Sequence, residues 1–152
     1  LIGRALRGRR DEVVLATNLT LTGAGQDLVW TNGALNLASN TLTVGRNVSI
    51  GPGATTLGVA VADATRAGRL TASGAVSGID NVELFVTVSA EPEEVQGRTY
   101  LVLSNSTPLV AVFGSVTWLE GWRGRADYTG NGGREVTLSS IGRRAGTLFT
   151  VR

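Results

Sequence analysis

The sequence predicts an all-β protein, and more specifically a right-handed parallel β-solenoid that ends in an antiparallel, aromatic-rich cap. Three observations support this prediction. Apolar and polar residues alternate in short segments closed by Gly or Asn, which is typical of half-buried strands. Similar segments recur about every 20 residues, at the short end of the range for stacked repeats. Gly contributes 21 of the 152 residues and Pro only 3, which favours many tight corners over a Pro-rich linker.

The alternation is clearest in residues 13–78, which we predict to form the solenoid coils. Asn18–Gly23 is echoed 22 residues later by Asn40–Gly45, and Gly-Ala pairs at 33–34, 53–54 and 74–75 are offset by 20 and 21 residues. A single coil cannot bury its own inner face, so the coils must stack. The predicted inner face consists of Leu19, Leu21, Leu35, Leu37, Leu42, Val44 and Leu57. An antiparallel sandwich or barrel is the alternative.

We predict that residues 79–140 form the cap, because the predicted strands are longer there and most of the aromatic residues occur there. The predicted strands are Val82–Ser89, Thr99–Leu103 and Leu109–Trp118, and Asn131–Gly133 indicates a hairpin turn. The residues expected to pack the cap are Tyr100, Phe113, Trp118, Trp122 and Tyr128. Residues 1–12 form a polar, basic lead-in, and residues 141–152 form a C-terminal strand or tail.

Composition argues against catalysis. The chain has no Cys, His or Met, and all 14 basic residues are Arg. The strongest metal ligands are therefore missing, and Ser or Thr nucleophiles lack a His or Lys base. Asp80 and Glu83 fall on opposite faces of an extended chain, and Glu91–Glu94 surrounds a Pro as a solvated turn. We expect no enzyme activity, no cofactor and no metal.

Two classes of partner are also disfavoured. Nucleic-acid binding usually requires basic and aromatic residues interleaved on one face. Here the Arg residues cluster towards the two ends of the chain, and only Arg123 has an aromatic neighbour, Trp122. We therefore expect no nucleic-acid binding. No apolar run is long enough for a membrane-spanning helix. Because residue 1 is Leu, we expect the chain to be a piece of a longer protein.

Residues 35–140 resemble the C-terminal part of a bacterial autotransporter passenger, where a β-helix leads into an autochaperone-like cap. The resemblance is carried by Thr41–Val61, Gly68–Gly78 and Gly97–Ser106, then by an FGSV segment and by VTLSS. The positions that match the cap are Gly97, Tyr100, Phe113, Tyr128, Val136 and Leu138. The resemblance implies an extracellular or bacterial cell-surface location. The chain departs from the family because no outer-membrane barrel follows.

A second, local resemblance concerns Leu1–Thr17, which is similar to the stretch before a barrel strand in aldo-keto reductases. That family requires a catalytic Tyr with Lys and His partners. The chain has neither Lys nor His, so the resemblance implies no such activity here.

The sequence therefore favours a non-catalytic structural or adhesive module, part of a surface passenger, a stalk or a self-assembling filament. Self-association would join Thr147–Val151, with Leu148, Phe149 and Val151, to the open N-terminal edge of another copy. The alternative is a carbohydrate-binding or degenerate carbohydrate-active domain. Cell-surface glycans would then stack on Trp30, Trp118 or Trp122.

Overall fold

The computed structural model describes residues 12–14, 19–21 and 27–144. These residues form twelve strands and three short helices. The strands are β1 (Glu12–Val14), β2 (Leu19–Leu21), β3 (Leu28–Asn36), β4 (Thr41–Val44), β5 (Val48–Val61), β6 (Arg69–Ala72), β7 (Val76–Ser77), β8 (Glu83–Val88), β9 (Tyr100–Ser104), β10 (Ser115–Trp118), β11 (Trp122–Thr129) and β12 (Glu135–Arg143). The helices are a 3-10 helix, η1 (Ile79–Asn81), and two single turns, α1 (Pro92–Val95) and α2 (Gly130–Gly133).

The strands form two sheets. The first has the order β1-β3-β5-β8-β10, with β7 also paired to β5, and every pair in it is parallel. The second has the order β11-β12-β9-β6-β4-β2. Its pairs are parallel from β2 to β9, and antiparallel from β9 to β12 and from β12 to β11. Successive strands up to β6 therefore alternate between the two sheets.

The core is built from aliphatic residues that lie in register on neighbouring strands. In the first sheet Leu35 is opposite Leu57, which is opposite Leu84. In the second sheet the corresponding row is Leu42, Leu70 and Leu103. All six side chains are at most 5% exposed and belong to one hydrophobic cluster. Burial of each such side chain stabilises the fold by about 1.5–3 kcal/mol.

The alternation of the sequence explains why the rows form. In β4, Leu42 and Val44 are buried while Thr41 and Thr43 are half-buried on the other face. Leu37 and Leu57, also predicted to point inwards, are fully buried. Because side chains alternate between the faces of a strand, a period of two residues sends one set into the core and the other outwards.

Gly78 allows the chain to leave β7 and enter η1. Its φ is +85°, and a Cβ at this position would overlap the carbonyl oxygen of Ile50. A left-handed conformation and a close backbone approach are both available to glycine alone at low energy. The same carbonyl accepts a hydrogen bond from the Asn81 side-chain amide at 2.9 Å, which fixes η1 against β5.

The prediction of a right-handed parallel β-solenoid with an antiparallel cap is wrong, although the all-β class agrees with the structure. Taken together, the two sheets contain both parallel and antiparallel strand pairs, and neither sheet closes on itself. The offset between paired residues is not constant either: Leu28 pairs with Val48, 20 residues later, whereas Leu70 pairs with Leu103, 33 residues later.

The physical reason is that alternation predicts a half-buried strand but does not specify the partner of that strand. The Gly-Ala pairs illustrate the difficulty. Gly33 lies opposite Ala54 rather than Gly53, so the first two pairs are one residue out of register. The third pair, Gly74-Ala75, lies in a turn beside Asn47 and in no strand.

The later strands agree in part with their predicted bounds. Asn131 and Gly132 have φ values of 51° and 71°, and the turn joins β11 to the antiparallel β12, so the predicted hairpin is confirmed. Leu109–Trp118 is a strand only from Ser115 onwards. Glu91–Glu94 contributes to the helical turn α1, because Pro92 occupies its first position, where a missing N–H is tolerated.

Asn105 is the polar residue that stands out within the core. It is 5% exposed, and neither its side-chain nitrogen nor its side-chain oxygen has a hydrogen-bond partner among the described residues. Its backbone N–H, by contrast, donates to the carbonyl of Arg134 at 3.1 Å. A buried amide without a partner destabilises a fold by about 1–3 kcal/mol.

We therefore predict that Asn105→Leu raises the melting temperature, because a side chain of similar size replaces an amide that has lost its hydrogen bonds to water. A gain of about 1 kcal/mol corresponds to roughly 2–4 °C in a chain of this size. Asn81→Leu is the matched control and should lower the melting temperature, since it removes the bond to Ile50. A lower melting temperature for Asn105→Leu in differential scanning calorimetry would contradict the prediction.

Candidate functional site

The five aromatic residues predicted for the cap lie in or beside the core. Tyr100, Phe113 and Trp122 are 4–5% exposed, while Trp118 and Tyr128 are half-buried and pack against the same cluster. They do not form one compact group. Tyr100 begins β9, and the other four lie around β10, β11 and the segment that precedes β10.

Phe113 and Tyr128 interact directly. Their ring centroids are 6.3 Å apart and the rings are tilted by 50°, within the range of favourable aromatic pairs. The Tyr128 hydroxyl accepts a hydrogen bond from the Phe113 backbone N–H at 3.3 Å. Burial raises the pKa of Tyr128. The pair therefore attaches the segment before β10 to strand β11.

Trp118 ends β10 and Trp122 begins β11, which are edge strands of the first and the second sheet. The Trp118 ring lies over Gly124, where a Cβ would overlap the ring. The Arg143 guanidinium lies over the Trp122 ring, 5.0 Å from the ring centroid, which is within the distance of a cation–π interaction. Trp30 is also buried, at 6% exposure. Trp30 and Trp122 are thus buried and Trp118 is half-buried, and the expected glycan contacts remain a prediction.

Leu148, Phe149 and Val151, the residues predicted for a self-association strand, lie outside the described residues.

The side-chain arrangement most suited to binding is a polar depression beside the second sheet, which sequence reasoning did not identify. It has a volume of about 290 Å³. We call it the arginine depression, and its polar lining includes Ser39, Thr41, Thr65, Arg66, Arg69 and Tyr100. Arg69 opens β6 and lies opposite Thr41 of β4, while Arg66 lies in the loop between β5 and β6.

Asp63 fixes the loop that carries Arg66. Its Oδ1 atom accepts hydrogen bonds from the backbone N–H groups of Thr65 and Arg66, both at 2.9 Å, and from the Thr65 hydroxyl at 3.2 Å. Its Oδ2 atom accepts from Arg66 Nε at 3.0 Å. The Thr65 N–H and then the Arg66 guanidinium lower the pKa of Asp63 to about 2. The carboxylate is therefore ionised at neutral pH and holds the loop.

Tyr100 connects this loop to the second sheet. Its hydroxyl donates a hydrogen bond to the Asp63 backbone carbonyl at 2.8 Å. Burial is the main cause that raises the pKa of the Tyr100 phenol, so the hydroxyl stays protonated and remains a donor at neutral pH. A residue predicted to pack a cap thus also holds one wall of the depression.

Three further surface depressions meet at Arg143. Their volumes are about 550, 920 and 500 Å³, and Arg143 lines all three. The Arg144 Nε donates to the Trp122 carbonyl at 3.3 Å and Arg123 Nε donates to the Arg143 carbonyl at 3.5 Å. The side chains of Arg123 and Arg144 therefore bind backbone carbonyls of β12 and β11, and they help to hold the two strands of the hairpin together.

The described residues form hydrogen bonds and ion pairs at this surface. They include no group of three or more acidic, His or Cys side chains arranged to hold a metal. Asp127, like Asp63, has a lowered pKa because its carboxylate accepts hydrogen bonds from the hydroxyl and the N–H of a neighbouring Thr, here Thr129. Both carboxylates cap turns.

The depression was missed because its residues are distant in sequence. Ser39, Arg66 and Tyr100 come from three separate connections or strands. The one local signal is Asp63-Ala64-Thr65-Arg66, where an Asp is followed two residues later by a Thr, a spacing typical of a side-chain-capped turn.

No protein-family model matches the chain, and neither a curated protein nor a solved structure is significantly similar to it. The resemblance to autotransporter passengers therefore remains a prediction from the sequence. In the part of the chain that the structure describes, no helix is long and apolar enough to cross a membrane.

We predict that Phe113→Ala lowers the free energy of unfolding by about 3–5 kcal/mol, since it empties a buried site and removes the contact with Tyr128. The matched control is Val110→Ala in the same segment. Val110 is 94% exposed, so its truncation should change stability by no more than about 0.5 kcal/mol. Equal urea midpoints for the two variants would show that Phe113 does not anchor this segment.

We also predict that Asp63 contributes to the acid sensitivity of the fold. Its pKa is about 2 in the folded chain and 3.8 in a model peptide. Its stabilising contribution is therefore complete above about pH 4 and is lost as the pH falls through about 2. Thermal unfolding of Asp63→Asn between pH 4 and pH 2 should show a shallower loss of stability than the parent chain.

The control for this prediction is Asp80→Asn, which removes an exposed carboxylate in η1. It should retain the pH dependence of the parent chain. A parent-like slope for Asp63→Asn would mean that the turn does not depend on the ionised carboxylate.

Proposed function

We propose that this chain is a non-catalytic structural or adhesive module of an extracellular or bacterial cell-surface protein, and that it joins to its neighbours through the edges of its sheets. One observation carries the proposal. Each sheet ends in strands whose outer edges pair with none of the described residues: β1 and β10 in the first sheet, β2 and β11 in the second.

The directions of these edge strands favour head-to-tail joining. All strands of the first sheet are parallel, so β1 and β10 run the same way. In the second sheet two successive antiparallel pairs, β9 with β12 and β12 with β11, restore the direction of β2 in β11. A second copy could therefore continue both sheets with parallel pairs.

A contact of this kind is heterologous, because the two joined surfaces differ. Repetition of such a contact gives a filament unless the rotation closes a ring. The interior supports this mechanical role, since the rows of Leu and Val extend across both sheets with few polar interruptions. Close-packed interiors have low compressibility and transmit strain.

Features of β11 restrict which strand can join it. The strand bears Arg123 and Arg125, both exposed, and its register shifts between them. Charges and bulges on an edge strand suppress random pairing. Strand β10 is therefore the main edge for association in this proposal, because its exposed residues, Ser115 and Thr117, are uncharged.

The test is to close the outer edge of β10 without disturbing its inner pairing. The Leu119 N–H donates inwards to the Val86 carbonyl at 2.8 Å, and alternate residues of a strand turn their N–H groups to opposite neighbours. The N–H groups of Ser115 and Thr117 therefore also face β8, and the Val116 N–H faces outwards. Proline is tolerated on an edge strand at such a position. We predict that Val116→Pro remains folded but loses self-association, whereas Val116→Thr, which keeps the N–H, retains it.

Sedimentation and electron microscopy over a range of concentrations provide the measurement. Filaments or concentration-dependent oligomers of the parent chain that disappear in Val116→Pro and persist in Val116→Thr would support the proposal. Filaments lost only on truncation after Arg144 would assign the contact to residues 145–152 instead of β10. A parent chain that is monomeric at every concentration would overturn the self-association.

A further inference from the structure

We propose that the arginine depression binds an acidic saccharide through the carboxylate or sulfate group of one sugar unit. This inference goes beyond the structural role, because it assigns a ligand to a surface that takes no part in joining the sheet edges. It rests on the charge of the depression, on the fixed position of one guanidinium, and on the mixture of groups around them.

The charge of the depression is positive. Arg66 and Arg69 are the charged residues among those that line it, and no carboxylate lines it. Arg66 is paired with Asp63 just outside. Among the described residues, no carboxylate lies within 4 Å of the Arg69 guanidinium, so the depression retains one positive charge that is not neutralised nearby.

The position of Arg66 is fixed before any ligand arrives. Asp63 holds the backbone of the loop by two N–H groups and holds the guanidinium by Nε alone. The terminal guanidinium nitrogens make no hydrogen bond to the described residues. Arginine presents its donors in a rigid fork that matches the oxygen geometry of a carboxylate or sulfate, and a fixed fork reduces the entropy lost on binding.

The surroundings favour a sugar over a bare inorganic ion. Ser39 and Thr99 bring hydroxyl groups that can donate to and accept from sugar hydroxyls, and Leu101 provides an apolar surface. The Thr65 hydroxyl donates to Asp63 and can still accept. The volume of about 290 Å³ is just below the range of ~300–1,000 Å³ for small-molecule sites, which suits a small ligand. One sugar ring with its acidic group is thus the unit that matches the site.

The experiment is a titration of the full chain, followed by NMR chemical shifts and by calorimetry. The probes are trigalacturonic acid, a sulfated disaccharide from heparin, maltotriose as a neutral saccharide, and sodium sulfate at equal ionic strength. The first two probes separate a carboxylate ligand from a sulfate ligand. We expect one of them to bind and to shift the backbone amides of Thr65–Arg69 and Thr99–Leu101.

Four variants test the role of the two lining arginines. Arg69→Gln should weaken binding by about tenfold or more, Arg69→Lys should recover part of the loss, and Arg66→Gln should also weaken it. Arg134→Gln, which changes an exposed Arg in the hairpin between β11 and β12, should leave the affinity unchanged. Each variant is compared with the parent chain by its melting temperature, so that a loss of folding is recognised.

The outcomes decide the proposal in both directions. Saturable binding of an acidic saccharide that is lost in Arg69→Gln and kept in Arg134→Gln supports it. Equal binding of maltotriose, equal binding of sulfate alone, equal weakening in Arg134→Gln, or no binding overturns it. Since Val116→Pro tests the sheet edges independently, failure of the saccharide site leaves the structural role standing.

Discussion

The in-register stacking of aliphatic side chains between two sheets is the interaction on which the rest of the fold depends. Leu35, Leu57 and Leu84 form one row, and Leu42, Leu70 and Leu103 form the other. Parallel pairing places like residues opposite one another, so each buried residue fixes the register of the next strand. A shift of one residue would turn an entire row outwards.

This stacking requires many sharp turns between the strands, and polar side chains stabilise those turns by accepting hydrogen bonds from backbone N–H groups. Asp27 accepts a hydrogen bond from the Asn47 N–H, and Asn47 in turn accepts one from the Ala75 N–H, both at 2.9–3.0 Å. Asp63 and Asp127 stabilise their own turns in the same way. Since a buried or constrained backbone must satisfy its N–H groups, these side chains are explained by structure before any binding role is considered.

Four of the described arginine residues fall into two groups that differ in their neighbours. Arg143 lies over Trp122, and Arg144 binds a carbonyl of β11, so both stabilise the hairpin at the end of the sheets. Arg66 and Arg69 instead line a shared depression, and of these two only Arg66 has a carboxylate partner among the described residues. The distinction between a supporting arginine and an available one depends on neighbours that come from distant parts of the chain.

The sequence by itself determined the all-β class, the burial of Leu35, Leu37, Leu42, Val44 and Leu57, and the hairpin at Asn131–Gly133, because a period of two residues and the left-handed preference of Asn and Gly are local properties. It also determined the chemistry that is absent from the side chains, since a chain without Cys, His or Lys cannot use their reactions. Only the tertiary structure decided the pairing of the strands, because the partner of a strand is set by packing over separations of 20 to 33 residues. The same holds for the arginine depression: Ser39, Arg66 and Tyr100 meet there because strand register brings them together, and no spacing in the sequence records that register.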